Sequence, residues 1–437
     1  MAAFKRLRFC ILAGALGLIP AEAAAQTDLI DLIGQTYIEN KIDLLSGVGN
    51  SGAFDLPISF GVFDVAGIMV SSLVLETAAF PIGSSSGGFT YVFDTSSGAP
   101  LRSSPSFGPA FAERPLTSGK GNMTFGFTYL HRSFDKIEGQ SLTGNALKFY
   151  APLNYLSDGA TADVVESTLN LDVKSDTATM FLTYGVLDKL DMSVAIPIQH
   201  VSMDVGLSSQ FVRFGPTSGI AGSQIPAATA SRSGSASGLG DIAIRGKYNF
   251  LDGPRAALAA GVDVRLATGD EANLLGTGRT RTRLYAAFGS SGGGAGTTSK
   301  LFPHANFGYT FESSPNDTDI FYFGSEVSYA AGAEYVAHRR LTVVGDIFGR
   351  SLANEGRVQN ASSTYDMVAT TVTPAQQLSV TQLQYEPGLR LNSTLAAIGA
   401  KYNPWSTFIV SAHMLFQFTS AGLNSGVTPV IGFDYSF

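Results

Sequence analysis

The chain reads as an all-β protein, an antiparallel transmembrane β-barrel of twelve strands preceded by a partly helical N-terminal plug or hatch. Three observations carry that expectation: period-2 runs long enough to cross a bilayer, connections that alternate short and long, and a last strand ending on an aromatic residue. Composition sets the frame. The 437 residues would otherwise make two or three domains, and only 14% of them are charged against 45% hydrophobic, well under the roughly one-quarter charge of soluble domains. An aromatic share of 11% excludes a disordered chain. A net charge of -7 with no basic cluster beyond the N-terminus argues against nucleic-acid partners. After residue 25 no apolar run approaches the ~18 residues of a spanning helix.

Taken in order, residues 1–25 read as an export signal. Lys5, Arg6 and Arg8 form a basic start, Phe9 to Ile19 an apolar stretch, and Ala23-Ala24-Ala25 a small-residue cleavage site. The single cysteine, Cys10, falls inside that signal, so the exported chain has no thiol for disulfides, metals or nucleophilic attack. Residues 26–118 form the N-terminal segment. Leu29 to Leu45 repeat at helical spacing, predicting an amphipathic helix of about five turns. Gly47 to Gly52 ends it, and an apolar stretch 56–82 and the glycine-serine run Gly83 to Gly88 follow. Phe89, Tyr91 and Phe93 then read as one arm of a hairpin turning at Ser96-Ser97-Gly98 and returning through Leu101.

From residue 119 to 437 the alternation repeats. Met123, Phe125, Phe127 and Tyr129 alternate with Asn122, Thr124, Gly126 and Thr128; Phe307, Tyr309 and Phe311 face away from Asn306, Gly308 and Thr310. Phe321, Phe323, Val327 and Tyr329 are expected on one outward row. Successive side chains leave opposite faces of a strand, so each run has one apolar and one polar face. Strands are expected near 119–134, 169–185, 189–206, 238–251, 254–267, 280–290, 300–312, 320–336, 339–350, 390–403, 406–418 and 427–437. The links at 135–168, 207–237, 268–279, 313–319, 351–389 and 419–426 read as long polar loops, with short turns between them. That two-beat rhythm belongs to outer-membrane barrels. Twelve strands keep it; adding the 89–101 hairpin would make fourteen and break it.

The last strand ends in Phe433, Tyr435 and Phe437. This resembles the terminal aromatic signal by which barrel-assembly machinery recognises its clients. The run Phe80 to Thr90, Phe111-Ala112-Glu113-Arg114, Gly238-Leu239-Gly240-Asp241, Thr268-Gly269-Asp270-Glu271 and Pro303 to Tyr309 resemble a family of outer-membrane transporters. That family is similar to the barrel proteins encoded beside meta-cleavage pathways of phenol degradation, and more distantly to fatty-acid and aromatic-hydrocarbon channels. The resemblance spans residues 80–437. It implies outer-membrane transport of a hydrophobic or aromatic solute.

The polar parity supplies candidate lumen residues: Arg245, Lys247, Asp263, Arg265, Arg281, Arg283, Glu326, Glu334 and Asp346. Neighbouring strands lie about 4.8 Å apart, close enough for cross-strand charge pairs. Such a constellation is either a charged constriction that filters solutes or a self-neutralising filler. Other motifs point to no chemistry. Gly83 to Gly88 lacks the Lys and Ser/Thr of a phosphate loop, Thr268 to Asn273 reads as a turn rather than a calcium loop, and the five histidines never fall at metal spacing. No G-x-S-x-G occurs. The expectation is a cofactor-free channel in the cell outer membrane, not an enzyme, whose partners are membrane lipid, the assembly machinery and a small solute taken up passively. A closed structural or adhesion barrel acting through its outer loops is the alternative, and a lipid-modifying enzyme the third.

Overall fold

In the computed structural model, residues 28–39, 60–78, 83–84, 88–94, 99–102, 104–154, 161–213, 228–253, 256–290, 299–313, 323–353, 357–367 and 375–437 are described. The export signal, the second half of the expected first helix and the Gly47–Gly52 break lie outside them. Twelve strands close into an antiparallel barrel: β1 Met123–Ile137, β2 Thr161–Leu187, β3 Leu190–Arg213, β4 Ala243–Asp252, β5 Ala257–Arg265, β6 Arg281–Gly289, β7 Leu301–Glu312, β8 Glu326–His338, β9 Leu341–Leu352, β10 Leu391–Trp405, β11 Phe408–Gln417 and β12 Val427–Ser436. Each matches one expected run. β12 zips against β1 from Val430↔Leu130 to Ser436↔Thr124, so no edge remains. Tyr91–Asp94 and Ala99–Arg102 pair only with each other, which removes the fourteen-strand count.

The greasy parity points outward. Leu182, Leu284, Ile347, Ile398 and Ile431 are half exposed or nearly so, a state that water penalises and hydrocarbon does not. Tyr248, Phe250, Tyr335, Tyr402 and Trp405 ring the end with the short turns; Tyr129, Phe311 and Phe418 ring the other. An aliphatic belt between aromatic girdles places this barrel in the outer membrane.

Four of the expected polar loops contain strands instead, the shortest being Leu423–Ser425, which pairs with the upper end of β1. β2 and β3 run 27 and 24 residues, far beyond the ~9–11 needed to cross. Above the membrane they pair with Leu147–Asn154 and Ala228–Leu239, while Arg357–Met367 and Gln376–Glu386 form a further hairpin. One outward assignment also fails. Phe323 lies before β8 begins, so strand parity does not aim it, and it is buried against the Arg281 guanidinium at 5.8 Å.

The N-terminal segment occupies the interior. A 3-10 turn, Leu29–Asp31, leads into α1, Leu32–Glu39; α2 is Phe60–Thr77. Leu29, Leu32, Ile33, Met69, Leu73 and Val74 pack against Val173, Val201, Met203 and Leu383 at the outer end, forming the main apolar core. Residues 104–118 then cross the lower half as extended chain. They leave at a tight rim, where a Cβ on Gly185 would stand 1.9 Å from the Gly119 carbonyl oxygen; no other residue type fits that crossing.

Candidate functional site

An extended segment inside a barrel has no ladder for its own amides, and buried amides must find partners. The inward side chains of β4 to β10 supply them. Asp346 accepts from the backbone N–H of Ala110 and of Phe111, both at 3.0 Å. Asn306 pairs with both backbone groups of Glu113. Lys247 donates to the carbonyls of Arg114 and Leu116 at 3.2 and 2.8 Å, Asn249 to that of Pro115 at 2.9 Å, and Lys401 to that of Pro109 at 2.8 Å. Phe111 stacks on Phe348 with centroids 4.8 Å apart.

Charge follows the same pattern. Arg245 bridges Asp263 at 2.7 Å and Glu113 of the interior segment at 2.9 Å. Asp263 also takes Arg283 at 3.3 Å, directly across the strand pair. Arg281 holds Glu312 and Glu326 at 3.0 and 3.1 Å. His304 stands between Glu334 at 3.3 Å and Asp346 at 2.8 Å, and Glu334 also accepts from Ser106. Arg265, half-buried, sits across from Arg281 beside Glu326.

All nine charged residues read from the polar parity therefore lie on the inner wall of β4 to β9. Seven of them are buried, Arg265 and Arg283 being the half-buried pair. Cross-strand proximity accounts for Arg245, Asp263 and Arg283, but Lys247, Glu334 and Asp346 spend their bonds on the interior segment.

Several partners escape a sequence reading. Glu113 and Ser106 sit in a stretch with no periodicity. His304, Lys401 and Asp191 do lie on inward parity, so a longer count along β3, β7 and β10 would have found them. Glu76 is the least foreseeable. From the end of α2 its carboxylate reaches Arg132 on β1 at 2.6 Å and Arg350 on β9 at 2.5 Å, joining two strands that are not neighbours. A carboxylate inside an apolar helix was the available signal. Burial raises its pKa, yet Arg350 and Arg132 outweigh that and hold it below the ordinary 4.5.

The other wall differs. β11, β12, β1, β2 and the lower part of β3 turn inward Ser411, Ser436, Thr128, Thr177, Thr179, Thr183 and Ser193, with Arg132 and Asp191 as buried charges among them. Between this wall and the interior segment lies a cavity of ≈80 Å³. An apolar cavity that takes benzene measures about 150 Å³, so the conformation described is closed to a ring-sized solute at this point.

Elsewhere, Asp241 accepts from Gly269 N–H and from Thr277 N–H and hydroxyl, organising the Thr268–Asn273 turn. Phe433 stacks on Phe127 at 5.5 Å, Phe437 meets Tyr435 edge-on at 4.7 Å, and the Phe437 N–H donates to Met123 at 2.8 Å. The three terminal aromatics thus sit on the outer face of the closing seam.

The profile of the family described as "Putative MetA-pathway of phenol degradation" matches residues 154–382, more than half of the chain. An outer-membrane channel from Pseudomonas putida F1 is similar at 13% identity and a TM-score of 0.43, over 73% of this chain and 96% of that one. A FadL homologue of Pseudomonas aeruginosa shows 11% identity and a TM-score of 0.28, over 72% and 89%. The P. putida toluene transporter TodX shows 9% and 0.31, over 72% and 89%. No curated protein matches the chain.

Proposed function

We propose, on the premise that this chain belongs to the MetA-pathway phenol-degradation family, that it is a gated channel admitting a small hydrophobic or aromatic solute passively across the outer membrane. The single observation carrying the channel reading is how its lower half is filled. A narrow barrel fills itself with its own side chains; here a separate stretch, residues 104–118, fills the space and is held by hydrogen bonds and ion pairs. Such bonds can be exchanged for water or solute, which apolar packing cannot do without loss. The nine inward charges serve this reading as the docking surface of a gate and the field of a constriction. The solute class rests on the family description alone.

The test is conductance of the purified mature protein in planar bilayers in KCl. Openings are expected, and more of them once residues 26–118 are removed from a barrel still folded by heat-modifiable mobility. A folded barrel that never conducts in either form overturns the channel. The overrunning strands 147–154, 161–187, 190–213 and 228–239 favour a second reading, attachment through the outer hairpins, which becomes the better one in that event.

A further inference from the structure

The side-chain hydrogen bonds and ion pairs that dock the interior segment come from one side of the barrel, while Phe107 also packs on Ile409 of β11. Residues 106–116 take their side-chain partners from β4 to β10: Arg245, Lys247, Asn306, Glu334, Asp346 and Lys401. On the opposite side they face the ≈80 Å³ cavity. That cavity combines hydroxyls (Thr128, Thr179, Ser411) with apolar surface (Phe111, Phe181, Val430). Arg132 and Glu76 border it above, Lys401 and Asp434 below.

Parting the segment from β4 to β10 would strand several buried charges, each expensive to leave alone. Parting it from β11, β12, β1 and β2 leaves intact the hydrogen bonds and ion pairs of residues 106–116 to β4 to β10. It draws Arg114 away from Asp434 and widens a space that already exists.

We infer that the permeation route is the crevice between the interior segment and the hydroxyl-lined wall of β11, β12, β1 and β2, with the Arg132–Glu76 pair at its outer end, and that the segment stays docked on β4 to β10 while solute passes. The lining suits a small neutral molecule with an apolar body and one or two hydrogen-bonding groups. This route rests on the channel reading above and says where that channel opens.

Two sets of variants in the full mature protein test it, each confirmed as folded by heat-modifiable mobility. Thr179→Trp and Ser411→Trp fill the crevice and should cut KCl conductance about ten-fold, as narrowing a pore does. They should also abolish the current blocks caused by 3-pyridylmethanol, the neutral probe. A disulfide between P115C and N249C, which pins the segment to β4, and Ser328→Trp, which fills the space on the charged wall, should each leave conductance within about two-fold. Loss of current on oxidising P115C/N249C, restored by reductant, would mean the segment must leave the charged wall, and the route is overturned. Unchanged conductance in Thr179→Trp and Ser411→Trp overturns it as well. A wild type that does not conduct removes the channel reading itself, a result distinct from either.

Discussion

The outer and periplasmic halves of this interior are filled by the same N-terminal segment in opposite ways. Outside, α1 and the end of α2 bury Leu29, Leu32, Met69, Leu73 and Val74 among aliphatic side chains of the strand extensions. Below, residues 104–118 pack Phe107 and Phe111 on the wall but take most of their hold from carbonyls, amides and carboxylates. Apolar contact is non-directional and is lost wholly when water enters. A hydrogen-bonded network is directional, and water can replace its members one by one. The first half therefore behaves as an anchor that excludes water as a whole, the second as a docked wall that can admit it bond by bond.

The strongest perturbation of that contrast is Arg245→Ala. It leaves Asp263 to Arg283 at 3.3 Å and Glu113 to Lys247 at 3.9 Å in a dry site, at a cost of about 3 kcal/mol; thermal unfolding in detergent should fall accordingly, and conductance should rise because the segment loses a tether. Leu73→Ala acts on the anchor. A cavity there costs about 2–4 kcal/mol, but openings should stay as rare as in the wild type. If Leu73→Ala opens the channel and Arg245→Ala does not, the division of labour between the halves is reversed.

Glu76 joins the two halves and supplies a smaller, pH-dependent effect. Its pKa is held below 4.5 in the folded protein, so its pairing stabilises the fold above the ordinary glutamate range and is lost as pH falls through the depressed value. Acid titration of thermal stability should show a loss below about pH 4.5 that Glu76→Gln lacks; an identical acid limb in both proteins would falsify the clasp. The smallest change in folded stability is expected for Phe437→Ala. The ring is 56% exposed in water terms, so detergent stability should shift by about half a kcal/mol, while the yield of assembled barrel in cells drops. Equal yields would show that the terminal aromatic is no recognition signal here.

How far the sequence discloses this molecule depends on what each surface touches. All twelve spanning strands are legible, because lipid on one side and a polar interior on the other force strict alternation on runs such as Phe307 to Phe311. The extensions are not. Ala228–Leu239 and Arg357–Met367 stand above the membrane with small or polar residues on both faces, so their period-2 pattern lacks the large apolar parity that marks a lipid-facing run. Asp263 and Arg245 could be paired from register alone. The partners of Lys247 and Asp346 could not, since they are main-chain groups of a segment without regular structure, where residue identity carries almost no signal.

The seam between β12 and β1 fixes an order of events during biogenesis. The stretch that ends up enclosed is synthesised before the wall around it, and the staves meet only when the final one arrives. Until then the future cargo of the bore has no housing, and its carboxylates and guanidinium groups remain hydrated. That stretch can shed its water only once the wall that supplies its partners stands, so its drying comes late in assembly.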